Sequence, residues 1–73
     1  MAVFSERLRE LRQERGMTQE ALGQIIGVKN YSVYTYEKGR SYPDVAGLIA
    51  LADHFDVSID YLVGRTDRRE VNR

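Results

Sequence analysis

The sequence predicts an all-α domain of five short helices, and three observations carry that prediction. Apolar residues recur at spacings of three and four along most of the chain. Helix-stopping glycines, Gly16, Gly27 and Gly64, close several of those runs. The one segment that looks like a β-strand, around Tyr31 to Tyr36, has no second strand-like run nearby to pair with.

The elements follow in order. "FSERLRELRQERG" is expected to form the first helix, capped by Ser5, with Phe4, Leu8 and Leu11 on one apolar face and Gly16 as its stop. "TQEALGQIIG" gives a second, shorter helix. Thr18 caps it, Ala21, Leu22, Ile25 and Ile26 are expected to face inward, and Gly27 ends it. The short connection between these two helices favours packing of one against the other. "SYPDVAGLIALADHFDV" predicts a helix starting near Pro43 or Asp44, since proline and an acid suit a first turn. Its inward stripe is expected to be Val45, Leu48, Ile49, Ala52 and Phe55, with Leu51 beside it. "VSIDYLVG" is a last short helix, capped by Ser58 and stopped by Gly64. Residues 1–64 form the expected domain, and residues 65–73, "RTDRREVNR", are expected to be a flexible basic tail without apolar periodicity.

The segment "GVKNYSVYTYEKGR" decides between strand and helix. Its β-branched and aromatic residues suit a pleated surface. A hairpin through "EKGR" would have to pair it with "SYPDV", where Pro43 removes a ladder donor. Wound at about 100° per residue, the segment sorts cleanly. Tyr36 and Glu37 fall within roughly 60° of Val33, while Tyr31, Tyr34, Thr35 and Lys38 gather on the far side. A third helix with an anchored face and a hydroxylated, aromatic, basic face is therefore expected. Tyr36 belongs to the core.

Composition narrows the function. A chain of 73 residues without cysteine forms one domain, with neither disulfides nor a cysteine-based zinc site. No run approaches the roughly 18 apolar residues of a membrane span, and no signal-peptide pattern opens the chain, so a cytoplasmic location without a membrane partner is expected. Formal net charge is zero, but its distribution is uneven. Between Pro43 and Gly64 the charges are Asp44, Asp53, Asp56 and Asp60, with no lysine or arginine; between Lys29 and Tyr42, Lys29, Lys38 and Arg40 face Glu37 alone. His54 is the single histidine, and Asp53 beside it cannot share its helix face. It is expected near a helix C-terminus, where a partial positive charge is welcome. Paired carboxylates, a phosphate loop and a nucleophile–base set are lacking in the sequence, so neither enzymatic activity nor a cofactor or metal is expected.

"TQEALGQIIGVKNYSVYTYEKGRSYPD", followed by "LIALADHFDVSIDYLVGR", resembles the phage repressor and Cro-type helix-turn-helix family of bacterial transcriptional regulators. The resemblance runs from about Phe4 to Gly64 and implies a lambda-repressor-like fold, with the second and third helices forming the helix-turn-helix. Gly23 supplies the small residue that lets those helices approach, and Gly27 the left-handed turn. Leu22, Ile26, Val28, Val33 and Tyr36 fix the angle between them.

What the family implies is carried over by position. The third helix would enter the major groove of double-stranded DNA, with Asn30, Tyr31 and Thr35 nearest the base edges and Tyr34 on the same face. Gln19 matches the position that grips a phosphate, and Lys38, Arg40, Ser41 and Tyr42 lie in the loop along the sugar-phosphate backbone. Lys29 stands where relatives often carry a capping serine or threonine; either Asn30 caps instead, or the lysine serves a phosphate. Arg12 and Glu37 resemble an ion pair tying the first helix to the third. The implied function is a transcriptional repressor acting as a homodimer on an inverted repeat, with Ile59, Tyr61 and Val63 as the candidate dimer surface and core burial the alternative for each. No ligand-binding domain is expected, so regulation is expected from concentration, a protein partner or proteolysis. An alternative on the same fold is a protein-interaction module, an antitoxin or an antagonist of another regulator. RNA binding is weaker, because the aromatics lie on a helix rather than a stacking sheet.

Overall fold

A computed structural model describes residues 3–71. Five helices follow one another: α1 (Phe4–Glu14), α2 (Gln19–Ile26), α3 (Asn30–Glu37), α4 (Val45–Phe55) and α5 (Ile59–Leu62), and no strand occurs among the described residues. α3 packs on both α2 and α1, while α5 closes the other side against α1 and α4. Between them lies a core whose centre, Leu8, Leu22, Val33, Leu51 and Leu62, is fully buried. Each such aliphatic side chain contributes about 1.5–3 kcal/mol relative to exposure, which is how a small cysteine-free chain holds together.

Most helix ends are built by the residues expected. The Thr18 side chain accepts from the Ala21 N–H, Asp44 from Gly47 and Ser58 from Tyr61. α1 differs. Its cap is Val3, whose side chain accepts no bond, and Ser5 lies inside the first turn. Starting the helix that early seats Phe4 in the core against the Tyr36 ring, 6.4 Å away and edge-on.

Two other expectations are corrected. Ile25, placed on the inward face of α2, is exposed, because that short helix buries only Leu22 and Gly23. In α4 the buried face is Leu51, Ala52 and Phe55 with Leu48 alongside, leaving Val45 71% and Ile49 45% exposed. This helix carries more apolar residues than one face accommodates. The segment after Gly64, expected to be a flexible tail, lies along α1 and α5. Arg69 makes two bonds to the Glu14 carboxylate, at 2.9 and 2.6 Å, and a third to the Tyr61 hydroxyl at 3.2 Å. Its carbonyl accepts from the Ser58 N–H at 2.9 Å. Residues 72–73, the end of that expected tail, lie outside the described residues.

Arg7 completes the clasp. Although charged, it is 5% exposed, its guanidinium lying 3.9 Å from the centre of the Tyr61 ring. It donates to the carbonyls of Tyr61 and Thr66 and to Asp67 at 2.6 Å. Tyr61, expected on a dimer surface, is therefore core, held between two guanidinium groups.

Candidate nucleic-acid interface

The α2–turn–α3 unit is built from two glycines. A Cβ on Gly23 would sit 2.5 Å from the Val28 carbonyl oxygen, so only glycine permits the turn to lie this close to α2. Gly27 takes φ 77°, and the Val28 N–H returns to the Gly23 carbonyl at 2.8 Å, closing the helix end. α3 then leaves at an angle fixed by Val33 and Tyr36 in the core.

Opposite those anchors, Tyr31 is 68% exposed and Tyr34 37%, with ring centres 6.2 Å apart. The Lys38 ammonium lies 5.6 Å from the centre of the Tyr34 ring. Lys29 is the N-cap but its side chain makes no capping bond; its carbonyl accepts from the Ser32 and Val33 N–H groups. Asn30 is the first helical residue and does not cap; its side chain is exposed. Lys29, Lys38 and Arg40 are all exposed around this face.

Four of the expected contact residues, Thr35, Ser41, Tyr42 and Gln19, carry attachments within the fold. The Thr35 hydroxyl donates to the Ser32 carbonyl at 2.8 Å and lies 2.7 Å from the Ser41 hydroxyl, joining α3 to the loop that follows. Tyr42 is exposed, yet its ring leans on Phe4 at 5.8 Å. Gln19 donates its amide to Glu37 at 3.3 Å.

That carboxylate is the anchor of the unit. Arg12 grips Glu37 through two bonds, Nε to Oε2 at 2.6 Å and Nη2 to Oε1 at 2.9 Å, and also donates to the Met17 carbonyl. The hydrogen bond to Glu37 raises the arginine's pKa, with burial opposing and the carboxylate's charge assisting. The pair thus ties α1, α2 and α3 at one point.

His54 lies near the end of α4, as expected, with its Nε2 3.4 Å from the Met17 sulfur. Burial first, then the charge of Arg15, lower its pKa. Sequence reasoning missed Arg7. It stands three residues after Phe4 and four before Leu11, so the periodicity that placed those two inward placed it inward as well.

Comparison with known proteins bears on this unit directly. The model of the helix-turn-helix family matches residues 8–62. The uncharacterized HTH-type transcriptional regulator YobD of Bacillus subtilis is 38% identical over 65 residues, which cover 89% of this chain and 58% of the relative. Among solved structures, a transcriptional regulator from Listeria innocua superposes with a TM-score of 0.83 at 36% identity, covering 96% of this chain and 64% of that one. The c2 repressor of Salmonella phage P22, in complex with a synthetic operator, gives 0.82 at 32% identity, covering 86% of this chain and 96% of the repressor chain. This chain spans little more than half the length of the first curated relatives it matches.

Proposed function

Because the chain belongs to the Cro/C1-type helix-turn-helix family of DNA-binding transcriptional regulators, we propose that it binds double-stranded DNA sequence-specifically through α3 and acts in the cytoplasm as a repressor. Repression follows from occupying an operator and excluding polymerase. The observation that carries this reading is the division of α3: Val33, Tyr36 and Glu37 are buried while Asn30, Tyr31, Tyr34 and Lys38 project together. Such a rod fits the major groove with its first turns toward base edges.

Each expected contact then has a role. Asn30, Tyr31 and Tyr34 face the bases. Thr35 contributes its methyl group, since its hydroxyl is held by Ser32 and Ser41. Lys29, Lys38, Arg40 and Tyr42 meet phosphates, and Ser41 holds the loop in register with α3. Gln19 keeps one amide hydrogen on Glu37 and offers the other to a phosphate, or exchanges that bond for the phosphate.

One small domain offers few base contacts, so the functional unit is a homodimer on an inverted repeat, with half-sites about 34 Å apart. Its surface includes Ile59 and the half-buried Val63, joined by the exposed Val45 and Ile49 of α4; Tyr61 does not belong to it.

The test is selection from a random duplex pool, followed by titration against salt. An enriched palindrome is expected, and four to six phosphate contacts per subunit would give a log–log slope near −0.9 per contact. Failure to enrich any duplex overturns the reading. The second reading, a protein-interaction module, draws on the zero net charge and the exposed Tyr31–Tyr34 pair. It predicts partner binding without that salt slope.

A further inference from the structure

The outward face of α3 has an unusual inventory for a reader of base edges. Arginine and lysine, which pair with the guanine O6 and N7 acceptors, are absent from Asn30–Glu37. The two flanking lysines are placed otherwise: Lys29 precedes the first turn, and the Lys38 ammonium lies over the Tyr34 ring. Glutamate, which would accept from cytosine, occurs only as Glu37, buried and gripped by Arg12. The Thr35 hydroxyl is engaged by Ser32 and Ser41. What remains is one amide, on Asn30, the Ser32 hydroxyl, and the rings of Tyr31 and Tyr34 with their phenol hydroxyls, of which the Tyr31 ring is the most exposed surface.

Tyr31 is also braced. Its neighbour one turn on, Tyr34, tilts 36° to it with ring centres 6.2 Å apart, and Lys38 backs Tyr34 in turn. A row of three side chains at positions i, i+3 and i+7 limits the rotamers open to the exposed ring. A braced apolar ring recognises an apolar feature. The major groove offers a single one, the C5 methyl of thymine, and an asparagine amide pairs with adenine.

We propose that Tyr31, supported by Tyr34, is the specificity-determining residue of this chain and reads a thymine C5 methyl, so that its half-site is centred on A·T pairs. This rests on the major-groove reading of α3 given above, and the experiment separates the two. The duplex enriched by selection is resynthesised with each thymine replaced singly by uracil, which deletes the methyl and leaves every hydrogen-bonding group. In parallel, each guanine is replaced by 7-deazaguanine, which deletes the N7 acceptor.

Expected is about fourfold weaker binding at one or more uracil positions in each half-site, the effect of one buried methyl. The dependence persists in Tyr31→Phe and disappears in Tyr31→Ala, whose fold is checked by its melting curve. Deazaguanine at the half-site centre changes nothing. If a duplex is enriched but uracil is neutral throughout, or Tyr31→Ala keeps the uracil effect, or deazaguanine alone weakens binding, this inference is overturned and the DNA-binding reading stands. If no duplex is enriched, both fall.

Discussion

Replacing Arg12 by alanine tests the anchor on which the orientation of α3 depends. The Glu37 side chain is 5% exposed and receives two charged hydrogen bonds from Arg12, at 2.6 and 2.9 Å. In Arg12→Ala only the neutral Gln19 amide, at 3.3 Å, remains to solvate the carboxylate. The Met17 carbonyl loses its donor as well. Breaking one member of a buried pair typically costs about 3–5 kcal/mol, because the surviving charge is stranded. A 73-residue domain has about 4–11 kcal/mol in total, so this change consumes a large share of it. With a urea slope near 1 kcal/mol/M, the midpoint followed by circular dichroism falls by about 3 M or more. The double variant Arg12→Met with Glu37→Met removes both charges and should recover most of the loss. An Arg12→Ala protein with the parent's midpoint would refute the reasoning, since Glu37 would then need no partner. A double variant as damaged as the single would refute the electrostatic part alone and leave packing as the cause.

Three further outcomes are expected. Gly23→Ala drives a methyl into the Val28 carbonyl, so it should cost about 1–3 kcal/mol despite alanine's better helix propensity, read as a lower urea midpoint together with weaker duplex binding; an unchanged midpoint contradicts the close approach. Because burial and Arg15 lower the His54 pKa from its ordinary 6.5, the unfolded chain takes up the proton more readily. Its contribution is then full above that ordinary value and lost as pH falls through the folded one; midpoints should drop from about pH 7 to pH 5, and His54→Gln should flatten that limb. Truncation after Arg65 removes the bonds to Arg7, Glu14 and Ser58, so it should lower the midpoint more than Glu14→Gln, which removes one ion pair; equal midpoints for truncated and full chains would mean that the clasp adds nothing.

The parts of the fold legible in the sequence were those written in apolar spacing and in the small set of capping residues. Thr18, Asp44 and Ser58 announced helix starts because a short oxygen-bearing side chain there has little else to do. Val33, Tyr36 and Glu37 fall together by helical angle alone, and they are buried together. Periodicity reports a direction, however, and not the width of the buried arc, so it points Val45 and Ile49 inward although the core has room only for their neighbours. It is also blind to adhesion by charge. Arg7, Asp67, Arg69 and Glu14 hold the segment after Gly64 through guanidinium geometry and backbone carbonyls, which no hydropathy pattern encodes. At the interface, residue types pointed to the outward face of α3, but the double engagement of Thr35 and Gln19 depends on which side chains the fold brings alongside.

The five tyrosines, in a chain without tryptophan, fall into two groups: Tyr36 and Tyr61 inside, Tyr31, Tyr34 and Tyr42 outside. Intrinsic phenol fluorescence is therefore an unlabelled reporter with two separable channels. A soluble collisional quencher reaches the outer three in the native state and the inner two only after unfolding. Ligand contact at α3 would dim the first channel and leave the second unaltered.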